Sequence, residues 1–233
     1  GTPLRPENAI PYINQKGLVD RNNNPKDAFY VFKSYWNDTT PFAYIESHTW
    51  TERQGPKGLK RAVSVYSNCP EVELFLNGKS MGTKKRNTKS FPAAGLNWNV
   101  SFTDGENVLE AVGKTTSGIE VTDKLKVNYR FTKNGTAKSL ALVYTQLENG
   151  NYLVTATARD KNGLRVLDFE ERVYFQCLSG GNTHKAMGTP TGSEVIEMAN
   201  GRASIEVVRA HKNIPLKMMV LSQNFKGTYL TIK

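Results

Sequence analysis

The chain has 233 residues, 38% of them hydrophobic and 10% aromatic, which places it well above the regime in which a chain cannot offset its ordering entropy and makes two domains the default expectation. Its net charge is +10, yet the basic residues are dispersed: Lys84-Lys85-Arg86 with Lys89 is the densest run, and Lys57, Lys60, Arg61 and Arg209, His211, Lys212 form smaller groups beside turn-like sequence. With no stacking aromatics interleaved, these read as solvated loop charge, and no nucleic-acid partner is expected.

No apolar stretch approaches the ~18–20 residues of a membrane span, and Gly1-Thr2-Pro3 does not resemble a signal peptide. Cys69 and Cys177 fall in different expected domains, so they are read as two unpaired, small buried hydrophobes rather than a disulfide.

From Gly1 to Asp20 the sequence carries three prolines and no apolar period, and reads as a long loop. A helix follows, with Asn24 as expected N-cap, Pro25 at the first helical position and Asp27 at the positive end. Phe29, Phe32 and Trp36 recur on one face, flanked by Val31 and Tyr35. That stripe is expected to pack on something larger than its sequence neighbours.

After Pro41 the pattern turns to short alternating runs punctuated by Gly, Asn, Asp and Pro. Strands are predicted at Ala43–Thr49, Ala62–Ser67, Val72–Leu76, Asn97–Phe102, Val108–Val112 and Val121–Tyr129, with a hairpin turn at Asn77-Gly78. About seven strands in about ninety residues suggest an immunoglobulin-like sandwich. Past a linker at Thr132–Thr136 a second set is predicted: Ser139–Thr145, Tyr152–Arg159, Arg172–Cys177, Glu194–Met198, Ala203–Val208, Leu216–Leu221 and Thr228–Ile232. Asn149-Gly150, Asn162-Gly163 and Asn200-Gly201 mark its turns, and Gly180-Gly181 to Gly192 is expected to be its longest loop. The expected fold is mainly β: two tandem immunoglobulin-like antiparallel β-sandwiches preceded by one α-helix, divided at 1–40, 41–131 and 132–233.

No catalytic constellation emerges. Glu170-Glu171, Glu194 with Glu197, and Glu71 with Glu73 are weak carboxylate pairs, better read as solvent-facing. His48, His184 and His211 are scattered without a Ser or Cys elbow, and neither metal-ligand spacing nor a phosphate-binding Gly motif is present. No cofactor is expected. Trp36, Trp50 and Trp98 are the aromatic candidates for sugar stacking, although core or interface packing is the favoured reading for each.

The segment KGLVDRNNNPKDAFYVFKSYW (16–36) resembles the end of the catalytic barrel in bacterial glycoside hydrolase family 2 enzymes of the β-galactosidase type, with Gly17, Asp20, Pro25, Lys26, Asp27, Tyr30, Lys33 and Trp36 fitting the pattern. VELFLNGKSMG (72–82), FPAAGLNWNVSF (91–102) and ENVLEAVG (106–113) are similar to the sandwich that follows that barrel, and DKNGLRV and MANGRASIEV to a further C-terminal sandwich. The resemblance implies a retaining parent enzyme whose two catalytic glutamates lie upstream of Gly1, so this chain alone is expected to be inactive. It implies that the loop after the last barrel strand contributes Arg5, Glu7, Asn8 and Tyr12 to the substrate rim. It also implies that Phe29, Phe32 and Trp36 pack on the barrel of the same polypeptide, and that the protein is periplasmic or extracellular.

The leading expectation is thus a non-catalytic hydrolase fragment whose sandwiches brace the barrel or mediate subunit contacts, with self-association through the helix where no barrel covers it. A carbohydrate-binding module for a β-galactoside or polysaccharide, and a tandem immunoglobulin-like surface adhesin, stay open beside it.

Overall fold

The computed structural model describes residues 17–19, 23–183, 194–211 and 213–233. They fall into two compact units, one ending at Lys133 and the other beginning at Asn134.

The first unit opens with α1 (Asp27–Trp36). Lys26, in extended conformation, occupies the N-cap position, and Pro25 instead forms a bridge with Val19, so the helix starts two residues later than Asn24 and Pro25 suggested. Asp27 lies in the first turn and Lys33 in the last, both matched to the helix dipole. The chain then runs through β1 (Ala43–Ile45), β2 (Glu52–Gln54), β3 (Arg61–Ser67), β4 (Glu71–Leu76), β5 (Lys79–Lys85), β6 (Asn97–Val100), β7 (Gly105–Lys114) and β8 (Glu120–Arg130). These make a three-stranded sheet in the order β1-β3-β6 and a five-stranded sheet in the order β2-β8-β7-β4-β5.

Strict alternation decides which side faces inward. In β4 the buried residues are Val72, Leu74 and Leu76, and in β8 they are Leu125, Val127 and Tyr129. With Val63, Val65, Leu96, Trp98, Val100 and Phe102 they form one core between the two sheets. Each fully buried aliphatic side chain contributes about 1.5–3 kcal/mol. Asn77 and Gly78 both have positive φ (52° and 77°), the geometry of the tight turn joining β4 to β5. The sequence pattern missed β2, whose three residues lack an apolar run; it pairs in parallel with β8, against the otherwise antiparallel arrangement.

The second unit contains β9 (Ser139–Gln146), β10 (Tyr152–Arg159), β11 (Arg172–Ser179), β12 (Gly181–Thr183), β13 (Val195–Glu197), β14 (Arg202–Arg209), β15 (Leu216–Leu221) and β16 (Thr228–Ile232). Its two antiparallel sheets have the orders β12-β14-β10-β9 and β13-β11-β15-β16. Val154, Ala156, Phe175, Ile205, Val207, Met218 and Val220 fill the space between them. Gly181–Thr183, read from its glycines as loop, pairs with β14; residues 184–193, including His184, lie outside the described part. Asn134, expected in a linker, is buried and donates to Asp168 at 3.0 Å, while the Gly135 amide donates to Asp160 at 3.0 Å. The mainly β, sandwich-forming class expected from the sequence is the one observed.

Candidate functional site

The four expected rim residues, Arg5, Glu7, Asn8 and Tyr12, lie outside the described residues. The helix stripe is described. α1 packs on the first sandwich through Val31, which clusters with Tyr66 and Ala93, and through Tyr30. Ser34 is also buried and donates to the Val31 carbonyl at 2.7 Å. The Phe29, Phe32 and Trp36 face is left partly or wholly open by this packing, with Trp36 73% exposed and its ring 4.8 Å from that of Phe32.

The helix C-terminus is tied down by side chains from the sandwich. Asn68 donates to the carbonyls of Asn37 (2.9 Å) and Thr40 (3.0 Å), and Arg86 donates to the carbonyl of Ser34 while its guanidinium sits 5.6 Å from the centre of the Tyr35 ring. Arg86 is therefore a structural cation at the negative helix end, not the solvated loop charge that its basic neighbours suggested. Arg209 likewise departs from that reading, donating to the carbonyls of Ile232 and Lys233.

Beside the helix lies an aromatic stack. The Tyr44 ring is 3.6 Å from Tyr30 at 5° and 4.6 Å from His48 at 15°. Tyr44 donates to Asp27 at 2.7 Å, and Tyr66 donates to Glu46 at 2.9 Å. Both phenols are pushed well above the ordinary tyrosine range, first by burial and then by their hydrogen bonds to those carboxylates. His48 pairs with Asp123 at 2.7 Å, and the same carboxylate oxygen accepts the Ile45 amide at 2.7 Å. The hydrogen bonds and ring contacts of this histidine are structural, and no hydroxyl or thiol is bonded to it among the described residues.

Adjacent to the stack is a pocket of about 220 Å³ lined by Ile45, Glu46, Ser47, Trp50, Arg53, Ala62, Val63, Ser64 and Leu109. Trp50 is 52% exposed and so lies outside the core of this unit, whereas Trp98, at 4%, is core and donates to the Gly82 carbonyl. Arg53 donates to the Trp50 carbonyl at 2.9 Å and lies 5.7 Å from the Trp50 ring centre and 6.0 Å from that of Phe102. Burial, and then the positive charge of Arg61, lower the pKa of its guanidinium. Arg53 and Glu46 were missed by sequence reasoning, because isolated charged residues around a tryptophan carry no motif.

In the second unit an open groove of about 580 Å³ is lined by Glu170, Glu171, Arg172, Tyr174, Glu197, Gln223 and Asn224. Glu171 accepts from Asn224 at 2.8 Å. Glu194 stands apart from it, accepting from Thr183 at 3.1 Å. Among the described residues no group of His, Cys, Asp and Glu could hold a metal ion. Both cysteines are free; Cys69 is buried, and burial raises the pKa of the Cys177 thiol.

Fold and site together define a pair of β-sandwich units, the first with a pocket beside Trp50 and the second with an open groove, and among the described residues no catalytic centre is assembled. Residues 58–122 match the family model described as domain of unknown function DUF4982. The whole chain is 73% identical to a putative β-glucuronidase of Formosa agariphila and covers 28% of it. It is 39% identical to the crystal structure of the Parabacteroides merdae β-glucuronidase, with a TM-score of 0.83 over 100% of this chain and 29% of that one. A β-galactosidase of Bacteroides ovatus is 34% identical over 38% of this chain and 10% of the relative. The homologues are C-terminal regions of glycoside hydrolase family 2 enzymes, and this chain spans somewhat under a third of their length.

Proposed function

We propose that this chain is the non-catalytic part of a β-glucuronidase-type, retaining glycoside hydrolase, and that its first sandwich anchors a helix against the catalytic barrel of the same polypeptide. The observation that carries the reading is alignment of the whole chain to a little over a quarter of a β-glucuronidase. The open Phe32 and Trp36 face supports it, since a contiguous apolar face set on a rigid sandwich suits burial against a larger body. Names of the more similar relatives favour glucuronides over galactosides as the parent's substrate. Arg5, Glu7, Asn8 and Tyr12 are rim residues in this reading, and the protein acts in the periplasm or outside the cell.

An immunoblot of the source organism with antibody against this chain tests the proposal. A band several times larger than 26.0 kDa is expected. A single native band at 26.0 kDa would remove the barrel and leave free-standing glycan binding as the function.

A further inference from the structure

The Trp50 pocket has a chemistry that bracing a barrel does not call for. Its wall offers an exposed indole face, a cation, a carboxylate and two serine hydroxyls around a space of about 220 Å³, smaller than the ~300–1,000 Å³ of sites for drug-sized ligands and suited to one sugar ring. The cation is held in place: Arg53 Nε is fixed on the Trp50 carbonyl, and the guanidinium lies 5.7 Å from the Trp50 ring centre and 6.0 Å from that of Phe102. No carboxylate of the described residues forms an ion pair with it; Arg61 adds to the positive potential and the Glu46 carboxylate partly offsets it. A half-buried arginine whose terminal nitrogens have no hydrogen bond among the described residues can recognise a planar anion through two parallel hydrogen bonds.

We propose that this pocket is a binding subsite for a carboxylated pyranose, a uronic acid unit of a glycan. The sugar face stacks on Trp50, the carboxylate meets Arg53, and ring hydroxyls donate to Glu46 and to Ser64, whose own proton goes to Asn97 at 2.9 Å, and exchange hydrogen bonds with Ser47. Glu46 separates this ligand from a simple anion. Its carboxylate is already oriented by the Tyr66 hydroxyl at 2.9 Å; its charge weighs against every anion alike, but it accepts the hydroxyl donors that a sugar carries and sulfate lacks. The arrangement therefore matches a ligand with an acidic edge and a hydroxylated edge. All the lining residues lie in the first unit, so the subsite needs nothing from the second.

The test is a titration of the full chain followed by amide and indole nitrogen–proton spectra. The indole signals of Trp36, Trp50 and Trp98 are separated by the Trp50→Phe variant. Methyl β-D-glucuronide is expected to move the Trp50 indole signal saturably at millimolar concentration, with methyl β-D-glucoside and sodium sulfate each at least about tenfold weaker, the scale of one charge-assisted hydrogen bond. Arg53→Gln is expected to weaken the glucuronide by about the same factor while leaving the remaining spectrum in place. An unmoved Trp50 signal, an equal response to the glucoside or to sulfate, or unchanged affinity in Arg53→Gln overturns the proposal. Should that variant unfold, the comparison of the three ligands on the unaltered chain decides. The measurement uses the chain without a barrel, so its outcome is independent of what the longer polypeptide hydrolyses.

Discussion

Replacing Arg86 by methionine keeps the length and apolar stem of the side chain and removes its charge. Three interactions go with it. The charge-assisted hydrogen bond to the Ser34 carbonyl is worth ~1.5–3 kcal/mol, the contact with the Tyr35 ring ~0.5–1, and the cation at the helix C-terminus ~0.3–1. The side chain is only half buried, which favours the lower end of each range, and its Nε is buried without a partner, so its removal also relieves about 1 kcal/mol. The net expected cost is about 1.3 kcal/mol in docking α1, or roughly tenfold faster hydrogen exchange at the helix amides through local opening. Exchange followed by NMR, with urea unfolding in parallel, reads both quantities. Unchanged protection across Val31–Trp36, with a stability change under about 0.5 kcal/mol, would refute the view that Arg86 clamps the helix.

Leu74→Ala and Phe175→Ala each delete a side chain at the centre of one sandwich, and each is expected to cost roughly 3 kcal/mol by chemical denaturation. Gly201→Ala places a methyl group against the Val166 carbonyl at a φ of +67°, whereas Gly78→Ala at +77° meets open space; calorimetry should find the first the more destabilising by over about 1 kcal/mol. Alkaline pH should weaken the first unit. Burial and carboxylate contacts raise the folded-state pKa of Tyr44 and Tyr66 above the unfolded value, so the folded form keeps protons that the unfolded form releases. The stability they confer is complete below about pH 10 and falls above it by up to ~1.4 kcal/mol per pH unit for each tyrosine. Denaturant melts between pH 9 and 12 should show Tyr66→Phe flattening that slope.

Legibility in the sequence followed burial. β4 and β10 were found because their buried residues recur with the strand period, and the Asn77-Gly78 turn because it demands positive φ. β2 was invisible: Glu52, Arg53 and Gln54 hold their place by pairing with β8, a partner some seventy residues away. β12, with two glycines at its entry, was masked by residues that usually signal loops. The helix stripe of Phe29, Phe32 and Trp36 was legible as apolar, but Val31 and Ser34 make the seat on the sandwich, so the strongest helical period does not mark the face used within this unit.

The Trp50 pocket could not be read from spacing, since Glu46, Trp50, Arg53 and Ser64 come together only when β1, β2 and β3 converge. Arg86 and Arg209 passed for loop charges because nothing in a one-dimensional run of basic residues shows which carbonyls they reach. Resemblance, by contrast, carried the family far beyond composition. The match to family 2 hydrolases is supported across the whole chain, while the names of the relatives lean from galactosides toward glucuronides.

The most direct test of the central claim is hydrolysis by the native polypeptide captured with antibody against this chain, assayed beside the purified 233-residue chain. Nitrophenyl β-D-glucuronide and nitrophenyl β-D-galactoside are the two substrates. The account predicts that the captured protein cleaves the glucuronide in preference to the galactoside and that the purified chain cleaves neither. Turnover by the purified chain, or a captured protein without glycosidase activity, would contradict it.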